Sequence, residues 1–375
     1  MKYLLSILLL LLSAIAAADD IPPPPTLAAR AFMLRDYGSG AVLAQQNADE
    51  RVEPASLTKL MTAYLSFKAL KNGHLQLNQT LPVSVKAWKA EGSRMFIAPD
   101  MPVTVDELLH GMIIQSGNDA CIALAEGIAS SEEIFADLMN REAARLGMKN
   151  THFVNATGLP DPNHYTTARD LSLLAAALIR DFPEQYKRLY AIKEYTYNKI
   201  TQPNRNLLLW RDPFVDGMKT GHTESAGYCL IASARRGDTR LISVILGTPS
   251  ETARAVESQK LLNYGFQFHE SRLIYRHGQT ISTLKVWKGA DNTLVATVPE
   301  DLYVMLPKGQ AARLKANIVS RQPLIAPIAA GQEVGTIQFT LDGKPLMARG
   351  LVAASDVPVA GIFGRLWDGI KLMLQ

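Results

Sequence analysis

The chain has 375 residues, 47% of them hydrophobic, and 39 Lys and Arg against 35 Asp and Glu leave a formal net charge of +4. The length suffices for two domains at roughly 150 residues each, and the charges are too well mixed to form the basic block that nucleic acid requires. Two cysteines, Cys121 and Cys229, are too few for a disulfide scaffold or a zinc site, and the sequence leaves open whether they pair.

In chain order, Met1-Lys2-Tyr3 precedes the apolar run Leu4 to Ile15 and the small residues Ala16-Ala17-Ala18. This is the pattern of an export signal over 1–18, with Asp19 starting the mature chain. The apolar run is shorter than the ~20 residues that span a bilayer, and no later segment is hydrophobic enough to do so. Ile21-Pro22-Pro23-Pro24-Pro25 reads as a stiff extended leader. Ala31 to Leu34 and Ala41 to Leu43 flank Gly38-Ser39-Gly40, a hairpin signal. Helical periodicity predicts helices over 56–71, 104–128, 131–146 and 167–180. Strand-like runs follow at 215–220, 226–235 and 240–247, and Ser250 is a plausible N-cap for a helix over 250–264. From about 270, short alternating runs punctuated by Gly289, Pro299, Pro307-Lys308-Gly309, Gly331 and Gly343 suggest a small all-β module over 270–360. Gly361 to Gln375 reads as an amphipathic helix, with Ile362, Phe363, Leu366, Trp367, Ile370, Met373 and Leu374 on one side. It is too short to cross a bilayer but suited to lie in its interface.

Three short motifs carry the chemistry. In Ser56-Leu57-Thr58-Lys59, residues three apart share a helix face, so the Lys59 amine can reach the Ser56 hydroxyl. A serine hydroxyl is a weak nucleophile without a nearby base, and a desolvated lysine can serve as one. The spacing alone is not diagnostic. Ser282-Thr283-Leu284-Lys285 repeats it in a strand-like run, where a period of two puts Ser282 and Lys285 on opposite faces. Support for Ser56 comes from Ser116-Gly117-Asn118 and from Lys219-Thr220-Gly221. The first offers a hydroxyl that can relay a proton and an amide that can grip a peptide carbonyl or stabilise Lys59. The second offers a cation, a hydroxyl and a glycine that permits close approach of a substrate backbone.

Ser-x-x-Lys, Ser-x-Asn and Lys-Thr-Gly in this order are the set of penicillin-binding proteins and serine β-lactamases. Over nearly the whole mature chain the sequence resembles the low-molecular-mass penicillin-binding proteins that are D-alanyl-D-alanine carboxypeptidases of the penicillin-binding protein 5 and 6 type. The likeness rests on Pro54 to Thr62, Ser116 to Cys121, Thr151-His152-Phe153 with Gly158-Leu159, Ala168-Arg169-Asp170 and Asp216 to Thr223. It implies an α/β (α+β) transpeptidase-like domain over 19–269, with an antiparallel sheet flanked by helices, ahead of the β-module. It also implies roles. Ser56 would be acylated, Lys59 would be its base, and Ser116 would pass the proton to the leaving D-alanine. Asn118 would bind the substrate's amide chain, and Lys219 would hold the electrostatics of the pocket. Thr220, assisted by Arg254, would contact the terminal carboxylate. The backbone N–H groups of Ser56 and His222 would form the oxyanion hole.

The expected reaction is removal of the terminal D-alanine from peptidoglycan pentapeptides, with no metal or organic cofactor and with β-lactams as inhibitors. The expected location is the periplasmic face of the inner membrane, held peripherally by the C-terminal helix. A class A β-lactamase would need a deacylating glutamate, and residues 150–170 contain none. A related endopeptidase would carry the same motifs and differ only in its product. A non-catalytic membrane scaffold would have no need of them intact. His222 is expected to act through its backbone, Asp170 to close a capping box with Thr167, and Cys121 to be a packed thiol.

Overall fold

The computed structural model describes residues 21–373; the export signal expected over 1–18 and the last two residues of the C-terminal helix lie outside this range. Five strands form one antiparallel sheet: β1 Ala31–Asp36, β2 Val42–Gln46, β3 Val215–Thr223, β4 Gly227–Arg236 and β5 Thr239–Thr248, in the order β2-β1-β5-β4-β3. The hairpin signal at 38–40 is the β1–β2 turn. Alternate residues of β4 and β5 are apolar on both sides. Cys229, Ile231, Ile242, Val244 and Leu246 face one core, while Leu230, Ala232, Leu241 and Ile245 face another. A sheet with this pattern must be covered on both faces.

The first face carries the helices α1 Lys59–Lys71, α2 Val105–Ile114, α3 Asn118–Ala129, α4 Glu132–Arg145 and α5 Ala168–Asp181. The second carries α6 Glu251–Phe268, whose N-cap Ser250 accepts from Ala253 N as expected, and which runs four residues past the predicted end. The single helix predicted over 104–128 is two helices. Ser116 takes a left-handed φ of 64°, and Gly117 caps the second helix. Periodicity misses the break because the apolar face resumes in phase beyond it. Thr167 caps α5 as predicted, but the capping box is half made: the Asp170 carboxylate turns to Asn150 N and Thr151 Oγ1 instead.

Beyond α6 the chain becomes all-β with its own core. β6 His269–Tyr275 pairs with β9 Leu302–Pro307. A second sheet runs β10-β12-β13-β8-β7-β11, built from β7 Ser282–Trp287, β8 Thr293–Thr297, β10 Leu314–Ser320, β11 Leu324–Ile325, β12 Glu333–Leu341 and β13 Lys344–Ala353. The Ser282/Lys285 pair lies in β7, where the Lys285 ammonium sits 3.7 Å from the Trp287 ring centroid. A last helix, α7 Ile362–Met373, follows. Among the described residues no helix is long and apolar enough to cross a membrane.

Candidate active site

Pro54 and the four-residue 3₁₀ turn Ala55–Thr58 deliver Ser56 at the head of α1, with Lys59 as the first α-helical residue. The turn packs on β3, where Gly221 makes the approach possible. A Cβ there would stand 3.1 Å from the Pro54 carbonyl oxygen and 3.2 Å from Leu57 Cγ. The glycine of the third motif thus has the Ser56 turn as its observed close neighbour, where sequence reasoning assigned it to substrate.

Lys59 is 1% exposed and its Nζ lies 2.9 Å from Ser56 Oγ, 2.7 Å from Asn118 Oδ1 and 2.5 Å from the Thr157 carbonyl oxygen. Asn118 Nδ2 donates to the Glu91 carbonyl at 2.6 Å, so its oxygen is the atom turned to Lys59. This arrangement decides what a neutral Lys59 can do. Its two N–H bonds go to the two partners that only accept, Asn118 Oδ1 and Thr157 O. Its lone pair is left for the Ser56 hydroxyl. Burial foremost, with the Arg205 cation adding to it, holds the Lys59 pKa below the usual lysine range.

Lys219, on β3, is also buried; its Nζ donates to Ser116 Oγ at 2.9 Å and to the Thr220 carbonyl at 3.1 Å. Burial, then the Lys59 and Arg205 cations, push its pKa well below the usual range. Ser116 is therefore brought to Lys219, and Asn118 to Lys59. Burial together with a neighbouring cation, Arg205 for Lys59 and both Lys59 and Arg205 for Lys219, is the condition under which a lysine can work as a base.

Thr220 is buried beside them. Arg254 is 3% exposed and no surface arginine: it donates to the Gly221 carbonyl at 3.4 Å and to the Arg205 carbonyl at 3.3 Å, and pairs with Glu251 at 2.5 Å. The His222 ring stacks on Tyr228 with centroids 4.0 Å apart. Cys121 and Cys229 are both free and buried. Among the described residues no cluster of three His, Cys, Asp or Glu side chains is placed to hold a metal ion.

Sequence reasoning missed the carbonyls of Thr157 and Glu91, since a backbone acceptor has no side-chain signature. The local signals were nonetheless present. Asn155 Oδ1 accepts from Thr157 N, Thr157 Oγ1 and Gly158 N, an Asx turn. Asp119 accepts from the backbone N–H groups of Met95, Phe96 and Ile97, anchoring the loop that carries Glu91. Arg205 was also missed; its charge acts on both lysines.

Comparison with known proteins agrees with this geometry. Residues 18–250 match the family described as D-alanyl-D-alanine carboxypeptidase, and residues 269–359 match the C-terminal domain of penicillin-binding protein 5. The chain belongs to the D-alanyl-D-alanine carboxypeptidase family. It is 47% identical over 352 residues to D-alanyl-D-alanine carboxypeptidase DacC of Escherichia coli K12, covering 92% of this chain and 88% of the relative. It is 42% identical to DacA of Haemophilus influenzae, over 93% of this chain and 90% of that one. The crystal structure of penicillin-binding protein 5 from Haemophilus influenzae superposes with a TM-score of 0.85 at 42% identity, covering 90% of this chain and 99% of that chain. Penicillin-binding protein D2 of Listeria monocytogenes, solved in an ampicillin-bound form, matches 65% of this chain with a TM-score of 0.60 at 33% identity.

Proposed function

We propose that Ser56 is the acylated nucleophile of a D-alanyl-D-alanine carboxypeptidase and Lys59 the base that activates it. The chain is a serine-type enzyme of this activity, acting on peptidoglycan peptides and inhibited by β-lactams. One observation carries the residue assignment: Lys59 Nζ meets two groups that can only accept, Asn118 Oδ1 and the Thr157 carbonyl, so the neutral form of the amine would have only its lone pair left for Ser56 Oγ. Ser56 then attacks the carbonyl of the penultimate D-alanine, and the proton it loses passes to Lys59. The departing D-alanine nitrogen receives a proton through Ser116, whose hydroxyl is held by Lys219. The backbone N–H groups of Ser56 and His222 receive the developing oxyanion. β3 is the edge strand of its sheet, so a peptide can add to it in extended form, its terminal carboxylate meeting Thr220 and the field of Arg254. Asn118 orients Lys59 and keeps one further N–H for the substrate's amide chain. Water completes the cycle by hydrolysing the acyl-Ser56 ester. The test is mass spectrometry after benzylpenicillin: the adduct is expected on Ser56 and lost in Ser56→Ala together with D-alanine release. An adduct elsewhere, or none, overturns the assignment.

We also read 1–18 as an export signal, 19–269 as the peptidase domain, 270–360 as a β-domain and 361–375 as a peripheral anchor on the periplasmic face of the inner membrane. Support for the anchor comes from α7. Its polar side is tied down where Asp368 accepts from Lys288 N at 2.7 Å, while Phe363 and Met373 are 90% and 89% exposed and Trp367 also stands in solvent. An amphipathic helix that leaves its apolar residues outward suits a lipid interface.

A further inference from the structure

The Thr157 carbonyl that orients Lys59 belongs to a turn outside any helix or strand. Most of that turn is held from within or by α1 and α4. Asn155 caps it, Thr62 Oγ1 donates to the Ala156 carbonyl at 2.7 Å, and Ala156 N donates to Glu132 Oε1 at 2.9 Å. Its first residue, Val154, is held by a side chain with no role in the chemistry above: Val154 N donates to His164 Nδ1 at 3.1 Å. A backbone N–H can only donate, so Nδ1 is the unprotonated nitrogen of the ring. The neutral imidazole therefore carries its hydrogen on Nε2, and donates it to Thr58 Oγ1 at 2.8 Å. Thr58 ends the 3₁₀ turn that presents Ser56.

We infer that His164 is a positioning residue for acylation: bridging Val154 to Thr58, it locks the Thr157 turn onto the Ser56 turn and so aims the Lys59 lone pair at Ser56. The inference rests on the reading of Ser56 and Lys59 as nucleophile and base. The ring is 2% exposed and edge-on to Phe153. The charged and titratable groups facing it are Asp161, which favours its protonation, and His152 and Lys59, which oppose it. Burial outweighs all three and lowers its pKa to about 4. A protonated ring would turn a second N–H toward the Val154 N–H, so the bridge exists only with the ring neutral.

Three arms test this with the full chain and benzylpenicillin or a D-alanyl-D-alanine pentapeptide. In His164→Phe the acylation rate and kcat are expected to fall on the order of 100-fold, the cost of a misplacement of about 1 Å. KM should stay near wild type, because the contacts at Thr220 and Arg254 are untouched. In His164→Asn, whose Oδ1 can accept from Val154 N, part of the rate should return. In the wild-type chain, the slope of log acylation rate against pH should increase by one as pH falls through about 4, and this step should be missing in His164→Asn. Wild-type acylation in folded His164→Phe, a loss confined to KM, or an unchanged slope through that pH in the wild type would each overturn the proposal. The last arm needs no variant to fold. A wild-type chain that leaves Ser56 unlabelled would instead refute the assignment of the nucleophile, which is a separate result.

Discussion

Gly158→Ala perturbs the contact on which the Lys59 geometry depends. Gly158 has a φ of +86°, and a Cβ on it would lie 1.8 Å from the Ala55 carbonyl oxygen and 2.9 Å from Thr58 Oγ1. A left-handed backbone costs an alanine about 1–2 kcal/mol. The carbonyl is backbone and cannot rotate away, so the two turns must part until the contact opens to an ordinary van der Waals distance. Overpacking of that kind costs about 1–3 kcal/mol. Together these terms remove roughly 2–5 kcal/mol from a fold whose total stability is on the order of 5–15 kcal/mol. The displacement also draws the Thr157 carbonyl off Lys59, so acylation should fall on the order of 100-fold. Urea unfolding would show a lower midpoint with unchanged slope, and stopped-flow acylation by penicillin the kinetic loss. A variant within about 0.5 kcal/mol of wild type, the range of an ordinary surface substitution, that also acylates at the wild-type rate would refute the reasoning.

Cys121 and Cys229, buried and with pKa values pushed up to about 12 and about 11 by burial, should resist thiol reagents in the native enzyme and react once it is unfolded. Labelling of either under native conditions counts against this placement. Deleting residues 361–375 should abolish binding to anionic phospholipid vesicles while leaving D-alanine release in solution intact; unchanged vesicle binding would remove α7 as the anchor. The His164 pKa, about 4 when folded against a reference of 6.5, makes the unfolded chain bind more protons between those values. Stability is therefore fully present above pH about 6.5 and is lost as pH falls toward about 4, by roughly 3 kcal/mol from this group. Urea midpoints of wild type and His164→Asn measured at pH 7 and pH 4.5 should converge on acidification; parallel declines would show that His164 does not titrate in this range.

Much of the fold was legible because its signals are local. Strand alternation from 215 to 247, the Ser250 and Thr167 caps and the shift to short strands after 270 all depend on neighbours within a few residues. The same locality misled at 104–128, where the helix breaks at Ser116. The break turns the Ser116 hydroxyl to Lys219 on β3, a partner 103 residues away that periodicity cannot register. Arg254 was expected at the terminal carboxylate only through the resemblance; α6 packs against β4 and β5, and the buried guanidinium donates to the Gly221 carbonyl on β3. Gly221 was singled out for the approach of a substrate backbone, and the fold adds a second neighbour, the Pro54 carbonyl, that no local signal announces.

The sequence by itself determined the identities and order of Ser56, Lys59, Ser116, Asn118, Lys219 and Thr220, the strand bearing the last two, and the rejection of the Ser282 decoy. Helical and strand periods alone settle which side chains share a face. Only the tertiary structure decided the surroundings of Lys59: its pKa is lowered by burial, and its Nζ meets two acceptors, Asn118 Oδ1 and the Thr157 carbonyl, 59 and 98 residues away along the chain. Desolvation and backbone acceptors are properties of the packed chain, and no residue type at any spacing encodes them.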